Sequence, residues 1–146
     1  MKSEHPLRVL IAEDSPAVQD TFARTINAIP NVRVETQAFT GRAAIAALRK
    51  TRPDIALIDL SMPDGSGFEV LETIRRDEEG PLLIVITFHS EAMIRARCFE
   101  LGAHLFIDKA DDTDKLFDLL ARLGSGEATI EEEKESANCD IAERHE

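Results

Sequence analysis

The sequence predicts an α/β domain in which helices cover both faces of a five-stranded parallel sheet. Short apolar runs alternate five times with segments whose apolar residues recur at helical spacing. Prolines and glycines separate many of these segments, and polar or charged residues follow four of the apolar runs. Such alternation is typical of a doubly wound sheet, in which a helix joins each strand to the next.

Four of the five predicted strands are nearly continuous apolar runs, as expected for strands buried on both faces of a parallel sheet. The exception is 32–38, where apolar Val32 and Val34 alternate with polar Arg33 and Glu35. This alternation favours a strand that is solvated on one side and lies near an edge of the sheet. The predicted strands are 7–12, 32–38, 55–58, 82–86 and 105–107.

Capping residues, prolines and glycines set the predicted ends of the helices. Ser15 precedes Pro16 at the start of the first helix, and Ser66 with Glu69 forms a capping box for the third. Ser90 is the predicted cap of a helix that stops before a glycine. The predicted helices are 16–29, 41–52, 66–76, 90–101 and a last one that carries the apolar residues from 116 to 123.

The composition is that of a globular protein of one domain. The 146 residues suffice for a single compact core, and 43% of them are hydrophobic. A formal net charge of −11 repels nucleic acid phosphates and anionic membranes, so we expect neither as a partner. No apolar run approaches the roughly 20 residues that cross a bilayer, and residues 1–6 lack a signal-peptide core, so we expect a cytoplasmic protein.

The C-terminal segment differs in composition from the rest of the chain. Residues 124–146 contain 8 acidic and 2 basic side chains and few apolar ones. Such a segment has little apolar surface with which to offset the entropy of ordering. We therefore predict a folded domain over 1–123 and a solvated, flexible tail over 124–146, with a short helix formed on a partner as the alternative.

Charged and hydroxyl side chains stand at the ends of four predicted strands. They are Glu13 and Asp14 after the first strand, Asp59 after the third, Thr87 after the fourth and Lys109 after the fifth. The carboxyl ends of parallel strands share one edge of a sheet, so these side chains are expected to converge. Each acidic residue alone also suits an ordinary capping role at a helix N-terminus.

Three converging carboxylates repel one another at neutral pH unless protons or a cation compensate their charge. Mg²⁺ fits such a site because it prefers oxygen ligands. A carboxylate can attack phosphorus if the charge of the transferring group is neutralised. We therefore assign Asp59 as the nucleophile, Lys109 and Thr87 as groups that meet the phosphoryl oxygens, and Glu13 and Asp14 as holders of the metal.

These residues, in this order, resemble the receiver domain of bacterial two-component response regulators. The resemblance covers about 7–123. It is carried by Glu13-Asp14, Asp59, Met62-Pro63-Asp64-Gly65, Gly67, Thr87, Phe106 and Lys109. It implies a flavodoxin-like (βα)5 fold with strand order 2-1-3-4-5 and a phosphoprotein that acts in signal transduction through a phosphorelay.

The resemblance further implies that Asp59 accepts a phosphoryl group from a phosphohistidine on a sensor histidine kinase or histidine phosphotransfer protein. The implied Mg²⁺ ligands are Asp14, Asp59, the backbone carbonyl of Ser61 and, through water, Glu13. Such a domain supports its own phosphorylation and dephosphorylation and is not an enzyme with separate substrates. Thr87 and Phe106 are the implied switch residues, and Ser61 and His89 are the implied residues that tune dephosphorylation.

Two positions depart from the usual pattern of the family. Phe88 follows Thr87 where receivers usually carry a small residue, so we expect its ring to narrow access to Asp59. Ala110 follows Lys109 where a cis proline is common, and a cis bond before a non-proline residue costs about 2.5–4 kcal/mol. We therefore expect that loop to run differently and to hold Lys109 less tightly.

The leading interpretation is a stand-alone receiver that signals through a phosphorylation-dependent contact with another, unknown protein. One alternative is a pseudo-receiver that binds partners without phosphorylation; Phe88 favours it, whereas Asp59 and Lys109 argue against it. An aspartate-nucleophile phosphohydrolase is less favoured, because that class needs a second acid where Ser61 stands. A flavodoxin-type cofactor binder needs a glycine- and hydroxyl-rich loop where Glu13 and Asp14 stand.

Overall fold

The structure, a computed structural model, describes residues 5–75 and 80–144, which contain one five-stranded sheet. The strands are β1 (Leu7–Ala12), β2 (Val32–Ala38), β3 (Ile55–Ile58), β4 (Leu82–Thr87) and β5 (Leu105–Asp108). All five agree with the predicted strands to within one residue at either end. None of the helices in the described ranges combines the length and the apolar character that crossing a membrane requires.

All strands are parallel and lie in the order β2-β1-β3-β4-β5, which confirms the order implied by the resemblance. β1 pairs on one side with β2, through Leu7 opposite Val32, and on the other with β3, through Val9 opposite Ile55. The direction of winding therefore reverses at β1. In open α/β sheets, ligand sites form beyond the carboxyl ends of the strands at such a switch point.

Six helices are present in the described ranges. They are α1 (Pro16–Asn27), α2 (Gly41–Thr51), α3 (Gly67–Ile74), α4 (Ala92–Glu100), α5 (Thr113–Ser125) and α6 (Ile130–Arg144). The side chains of Ser15 and Ser66 accept backbone amides of α1 and α3 at 3.3 and 3.4 Å, which confirms these two predicted caps. The predicted end of the third helix at Arg76 falls outside the described residues.

The predicted cap of α4 is wrong. The residue before this helix is Glu91, and its side chain makes no capping hydrogen bond. Ser90 is hydrogen-bonded to the carboxylate of Asp108 at the end of β5. A serine caps a helix only when its oxygen faces the free amides of the first turn. Ser90 lies in the loop between β4 and α4, and its side chain pairs with Asp108 instead.

Two apolar layers, one on each face of the sheet, form the core. One layer packs the sheet against α2, α3 and α4, and the other packs it against α1 and α5. All residues of β3 and β4 are buried, which explains their unbroken apolar sequences. Cys98 lies in the first of these layers, where burial raises the pKa of its thiol to about 11.

The C-terminal segment differs from its prediction as a tail without fixed structure. α5 continues to Ser125, and α6 follows after a short turn. Ala128 and Ile130 pack against the layer formed by α1 and α5, and Ala137 is buried. The ammonium of Lys134 donates to the backbone carbonyl of Gly80. The prediction rested on the net charge of the segment. The residues that pack, Ile130, Lys134 and Ala137, recur at helical spacing, but acidic residues surround them in the sequence.

Candidate functional site

Three carboxylates meet at the carboxyl end of the sheet, as the sequence predicts. Glu13 and Asp14 follow β1, and Asp59 follows β3, the neighbouring strand. One carboxylate oxygen from each of the three lies within 4.8 Å of the others. Glu13 and Asp59 are only 3% and 5% exposed, whereas Asp14 is exposed. Glu13 and Asp59 thus form the buried part of the cluster, and Asp14 lies on the side that is open to solvent.

Lys109 joins this cluster from the end of β5. Its Nζ donates to Glu13 Oε2 at 2.9 Å and to Asp59 Oδ2 at 3.0 Å, and its side chain is 5% exposed. The expectation that Ala110 would leave this lysine loosely held is therefore wrong. The carboxylate of Asp108 accepts the amide of Ala110 at 2.8 Å, and this local hydrogen bond shapes the turn without a proline.

The remaining predicted polar residues surround the cluster at different depths. Thr87 is fully buried, and its Oγ1 accepts the amide of His89 at 3.2 Å. His89 itself is exposed. Ser61 is exposed as well, and its amide lies 3.4 Å from Asp59 Oδ1, which accepts a hydrogen bond from it. The two oxygens of Asp59 therefore have different partners, a backbone amide and the ammonium of Lys109.

The two aromatic residues that the sequence singles out take opposite positions. Phe106 is 6% exposed and belongs to the layer with α4, where the guanidinium of Arg95 lies 5.5 Å from its ring centroid. Phe88 is 66% exposed, and its ring centroid lies 5.4 Å from Lys109 Nζ. Phe88 thus projects outward at the rim of the site, next to the lysine.

The site holds more negative than positive charge. Burial and a hydrogen bond with Asp59 raise the pKa of Glu13 to about 7, against the opposing effect of the Lys109 ammonium. One ammonium therefore does not compensate three carboxylates in this setting. The atoms available as metal ligands are all carboxylate oxygens that lie close to one another, and Mg²⁺ prefers oxygen ligands. The residues present accordingly fit a divalent cation.

Two glycines allow the loop after Asp59 to pass close to its neighbours. A Cβ on Gly67 would lie 2.4 Å from the carbonyl oxygen of Asp59, and one on Gly41 would lie 1.9 Å from that of Gly65. Both distances are too short for any side chain. The amide of Arg42, at the start of α2, also donates to the carbonyl of Asp64 at 2.8 Å. The loop is therefore packed closely against the start of α2 as well as α3.

Sequence reasoning missed Gln19 of α1. Its side chain is 1% exposed, and its amide donates to three backbone carbonyls, among them that of Glu13. A signal was present in the sequence, because Gln19, Phe22 and Ile26 share one face of the helix. A polar residue on a face that points to the core needs buried partners.

Comparisons with known proteins agree with this geometry. The family model described as the response regulator receiver domain matches residues 9–121. A protein-glutamate methylesterase/protein-glutamine glutaminase of Anaeromyxobacter dehalogenans is 34% identical over 113 residues, which are 77% of this chain and 33% of that protein. A similar protein of Treponema denticola is 31% identical over 74% of this chain and 30% of its own length. The chain therefore spans about a third of the length of these curated relatives.

Solved structures extend the likeness to nearly the whole chain. A two-component response regulator of the LuxR family from Aurantimonas sp. superposes with a TM-score of 0.75 at 25% identity, covering 96% of this chain and 98% of that chain. The isolated receiver domain of RcsB from Salmonella enterica serovar Typhimurium, solved with the phosphomimetic BeF3⁻, gives a TM-score of 0.74 at 26% identity, with 84% and 91% covered. The ends of β1, β3 and β5 deliver the acidic cluster and its lysine, and together with the family match this geometry shows that the chain belongs to the family of response regulator receiver domains.

Proposed function

We propose that this chain is a response regulator whose Asp59 accepts a phosphoryl group from a phosphohistidine of a sensor histidine kinase or a histidine phosphotransfer protein. The observation that carries the proposal is the double contact of the Lys109 ammonium with Glu13 and Asp59 inside a cluster of three carboxylates. The ion pairs of Lys109 with Glu13 and Asp59 do not require Asp14 as a third carboxylate beside them. A site that binds a divalent metal and a phosphoryl group does require such a carboxylate.

In the proposed reaction, an Asp59 oxygen forms a bond to phosphorus while the bond from phosphorus to the imidazole nitrogen of the donor breaks. The imidazole leaves with the bonding electrons, and an aspartyl phosphate remains. Lys109 stands where it can neutralise charge on a phosphoryl oxygen, because its Nζ lies 3.0 Å from Asp59 Oδ2. The amide of Ser61 contacts the other Asp59 oxygen and orients the carboxylate.

Mg²⁺ is the cofactor that the proposal requires. Asp14, Asp59 and the backbone carbonyl of Ser61 would hold it directly, and Glu13 would hold it through water. When bound, the ion would offset negative charge on the carboxylates and on the transferring group. The all-oxygen cluster and the raised pKa of Glu13 support this assignment.

The proposed function includes a switch and a return to the resting state. Thr87 would turn its buried hydroxyl toward the added phosphoryl group, and Phe106 would follow by filling or vacating space between β5 and α4. Such a change is a shift between two populations that the new charge favours differently. Ser61 and His89, both exposed beside the site, would tune the access of water to the aspartyl phosphate.

The output of the proposed regulator is a phosphorylation-dependent contact with another protein in the cytoplasm. A net charge of −11 disfavours nucleic acid and anionic membrane surfaces as partners. An apolar cavity of about 260 Å³ beside Lys109, lined mainly by α1 and Phe88, offers the phosphodonor protein a place for an apolar side chain. In this proposal the chain is a phosphoacceptor rather than an enzyme with turnover.

Acetyl phosphate with Mg²⁺ tests the proposal by intact mass. The parent is expected to gain one phosphoryl group, and Asp59→Asn is expected to gain none. Asp64→Asn is the matched control, because Asp64 lies in the same loop, is exposed and has a φ of 50° that asparagine tolerates. It should be modified like the parent.

The other outcomes separate the competing functions. Modification of Asp59→Asn to the parent level would place the acceptor elsewhere. No modification of the parent would favour a pseudo-receiver that binds partners without phosphorylation. Rapid multiple turnover of added phosphate esters would favour an aspartate-nucleophile phosphohydrolase instead.

A further inference from the structure

Gln19 links three backbone segments beneath the acidic cluster. Its Nε2 lies 2.9 Å from the carbonyl oxygen of Ile11, 3.3 Å from that of Glu13 and 2.8 Å from that of Ala38. The first two belong to the end of β1 and the loop after it, and the third to the end of β2. Gln19 thus connects the start of α1 with the ends of two neighbouring strands.

The contact with Glu13 concerns the peptide unit between the two acids of the pair. The carbonyl of Glu13 and the amide of Asp14 lie in one rigid plane, so fixing the carbonyl fixes the direction in which the chain enters Asp14. The amide of Glu13 is held as well, since it donates to the carbonyl of Ala38 at 3.0 Å. Ala38 therefore receives both the Glu13 amide and the Gln19 side chain.

The Gln19 side chain acts here through its donor end. Within the described part of the chain, its Oε1 is the buried side-chain atom that lacks a hydrogen-bond partner. Leaving a buried oxygen unpaired is unfavourable, and three carbonyls share the two N–H donors of one amide. Phe22 and Ile26 on the same face of α1 are apolar, so Gln19 places polar atoms on an otherwise apolar buried face. The Gln19 amide supplies a hydrogen-bond donor at the point where the backbone of Glu13 leads into Asp14.

On these grounds we infer that Gln19 is a positioning residue for the divalent cation. Gln19 sets the backbone direction at Glu13 and Asp14 and does not itself contact the ion. The inference rests on the proposed function in so far as the acidic cluster holds Mg²⁺. Hydrogen-bond partners of metal ligands commonly change metal affinity by about 10–100-fold when they are removed. Gln19 acts one step further away, on the backbone that carries the ligands.

Gln19→Met tests the inference, because methionine keeps an unbranched side chain of similar length and removes both donors. The Mg²⁺ dissociation constant, measured by calorimetry, is expected to rise about tenfold. Phosphorylation by acetyl phosphate should slow at limiting Mg²⁺ and recover at saturating Mg²⁺. Ile26→Val is the matched control, since Ile26 is fully buried on the same face of α1 and has no part in the hydrogen bonds.

An unchanged Mg²⁺ dissociation constant in Gln19→Met would overturn the inference. Equal weakening in Ile26→Val would overturn it too, because loss of α1 packing would then suffice. Should Gln19→Met fail to fold, the parent carries the test by NMR. The side-chain amide signals of Gln19 are expected to shift during a Mg²⁺ titration with the same midpoint as the Asp14 amide, and their constancy would contradict the inference.

These outcomes are distinct from failure of the proposed function. A parent that binds Mg²⁺ but gains no phosphoryl group contradicts phosphoryl transfer and leaves the role of Gln19 in place. A parent that does not bind Mg²⁺ contradicts the proposed function and the role of Gln19 together, whereas an unchanged Mg²⁺ dissociation constant in Gln19→Met contradicts the role of Gln19 alone.

Discussion

The ammonium of Lys109 lies 2.9 Å from Glu13 Oε2, although 96 positions separate the two residues in the sequence. Their side chains are 5% and 4% exposed, so water screens this ion pair far less than a surface pair. Breaking a buried pair by removing one partner is strongly unfavourable, because the other charge remains buried. The pair therefore links the first and last strands of the domain through charge.

Replacing Lys109 by glutamine is expected to slow phosphorylation by acetyl phosphate at least about 100-fold, since removal of one hydrogen-bond donor to a developing charge costs this much in enzymes. The time course of intact mass measures the effect. Lys115→Gln is the control, because Lys115 is 78% exposed and forms an ion pair with Asp112, away from the acidic cluster. Parent-like rates in Lys109→Gln would show that the ammonium takes no part in the reaction.

Phe88→Ala is expected to speed both phosphorylation by acetyl phosphate and loss of the phosphoryl group, because the ring covers Lys109 at the rim of the site. We expect up to about tenfold, which corresponds to roughly 1.4 kcal/mol of activation free energy. Phe88→Leu keeps an apolar side chain and should stay near the parent. Equal rates in all three proteins would mean that the ring does not limit access to Asp59.

His104 should make the free energy of unfolding depend on pH. Burial and the nearby charge of Lys134 lower the pKa of this imidazole to about 4, and its Nδ1 accepts the amide of Leu83 at 2.9 Å. The unfolded chain binds the proton at higher pH than the folded chain does. The contribution of His104 to stability is therefore complete above about pH 6.5 and falls as the pH drops from there toward 4, by on the order of 1–2 kcal/mol after solvent screening.

Urea unfolding at several pH values measures this slope. His104→Asn retains an acceptor near the position of Nδ1 and removes the titration, so its stability should vary less between pH 6.5 and 4. His104→Leu removes the acceptor as well and should be less stable than His104→Asn at pH 7. A slope in His104→Asn equal to that of the parent would assign the pH dependence to other groups.

The packing of α6 predicts different effects for two neighbouring positions. Ala137→Glu places a carboxylate at a side chain that is 4% exposed, and it should detach or destabilise α6 by about 1–3 kcal/mol. Ser136→Glu adds the same charge at the adjacent, exposed position and should have little effect. Hydrogen exchange of the α6 amides distinguishes the two. Similar protection in both variants would contradict the burial of Ala137.

The strands and the cluster at their ends were predictable from the sequence, because both follow from short-range pattern. Apolar runs mark strands that are covered on both faces, and parallel strands carry Glu13, Asp59 and Lys109 to one edge. The strand order came from the family resemblance, since periodicity does not distinguish one order from another. Contact between Lys109 and both acids required the structure, because the course of the loop with Ala110 decides it.

The missed features depend on which way a polar side chain faces. Ser90 has the residue type of a cap and yet is hydrogen-bonded to Asp108 at the end of β5. Gln19 looks like a surface residue of α1 by type alone, but its three carbonyl partners lie at the ends of β1 and β2 and in the loop after β1. The acidic composition of 124–146 led to the prediction of a flexible tail, whereas Ile130 and Ala137 of α6 are packed or buried. Hydrogen bonds and contacts between distant segments leave only weak traces in a single sequence.

The separation of Lys109 from the three acids along the sequence has a consequence for a chain that is still being synthesised. A nascent chain that has passed β3 already carries all three acids, but Lys109 is added 50 residues after Asp59. Until translation passes the fifth strand, no intramolecular ammonium from this lysine is available to the acids. If the proposed function holds, the site for the phosphoryl group is therefore complete only after the ribosome has translated β5.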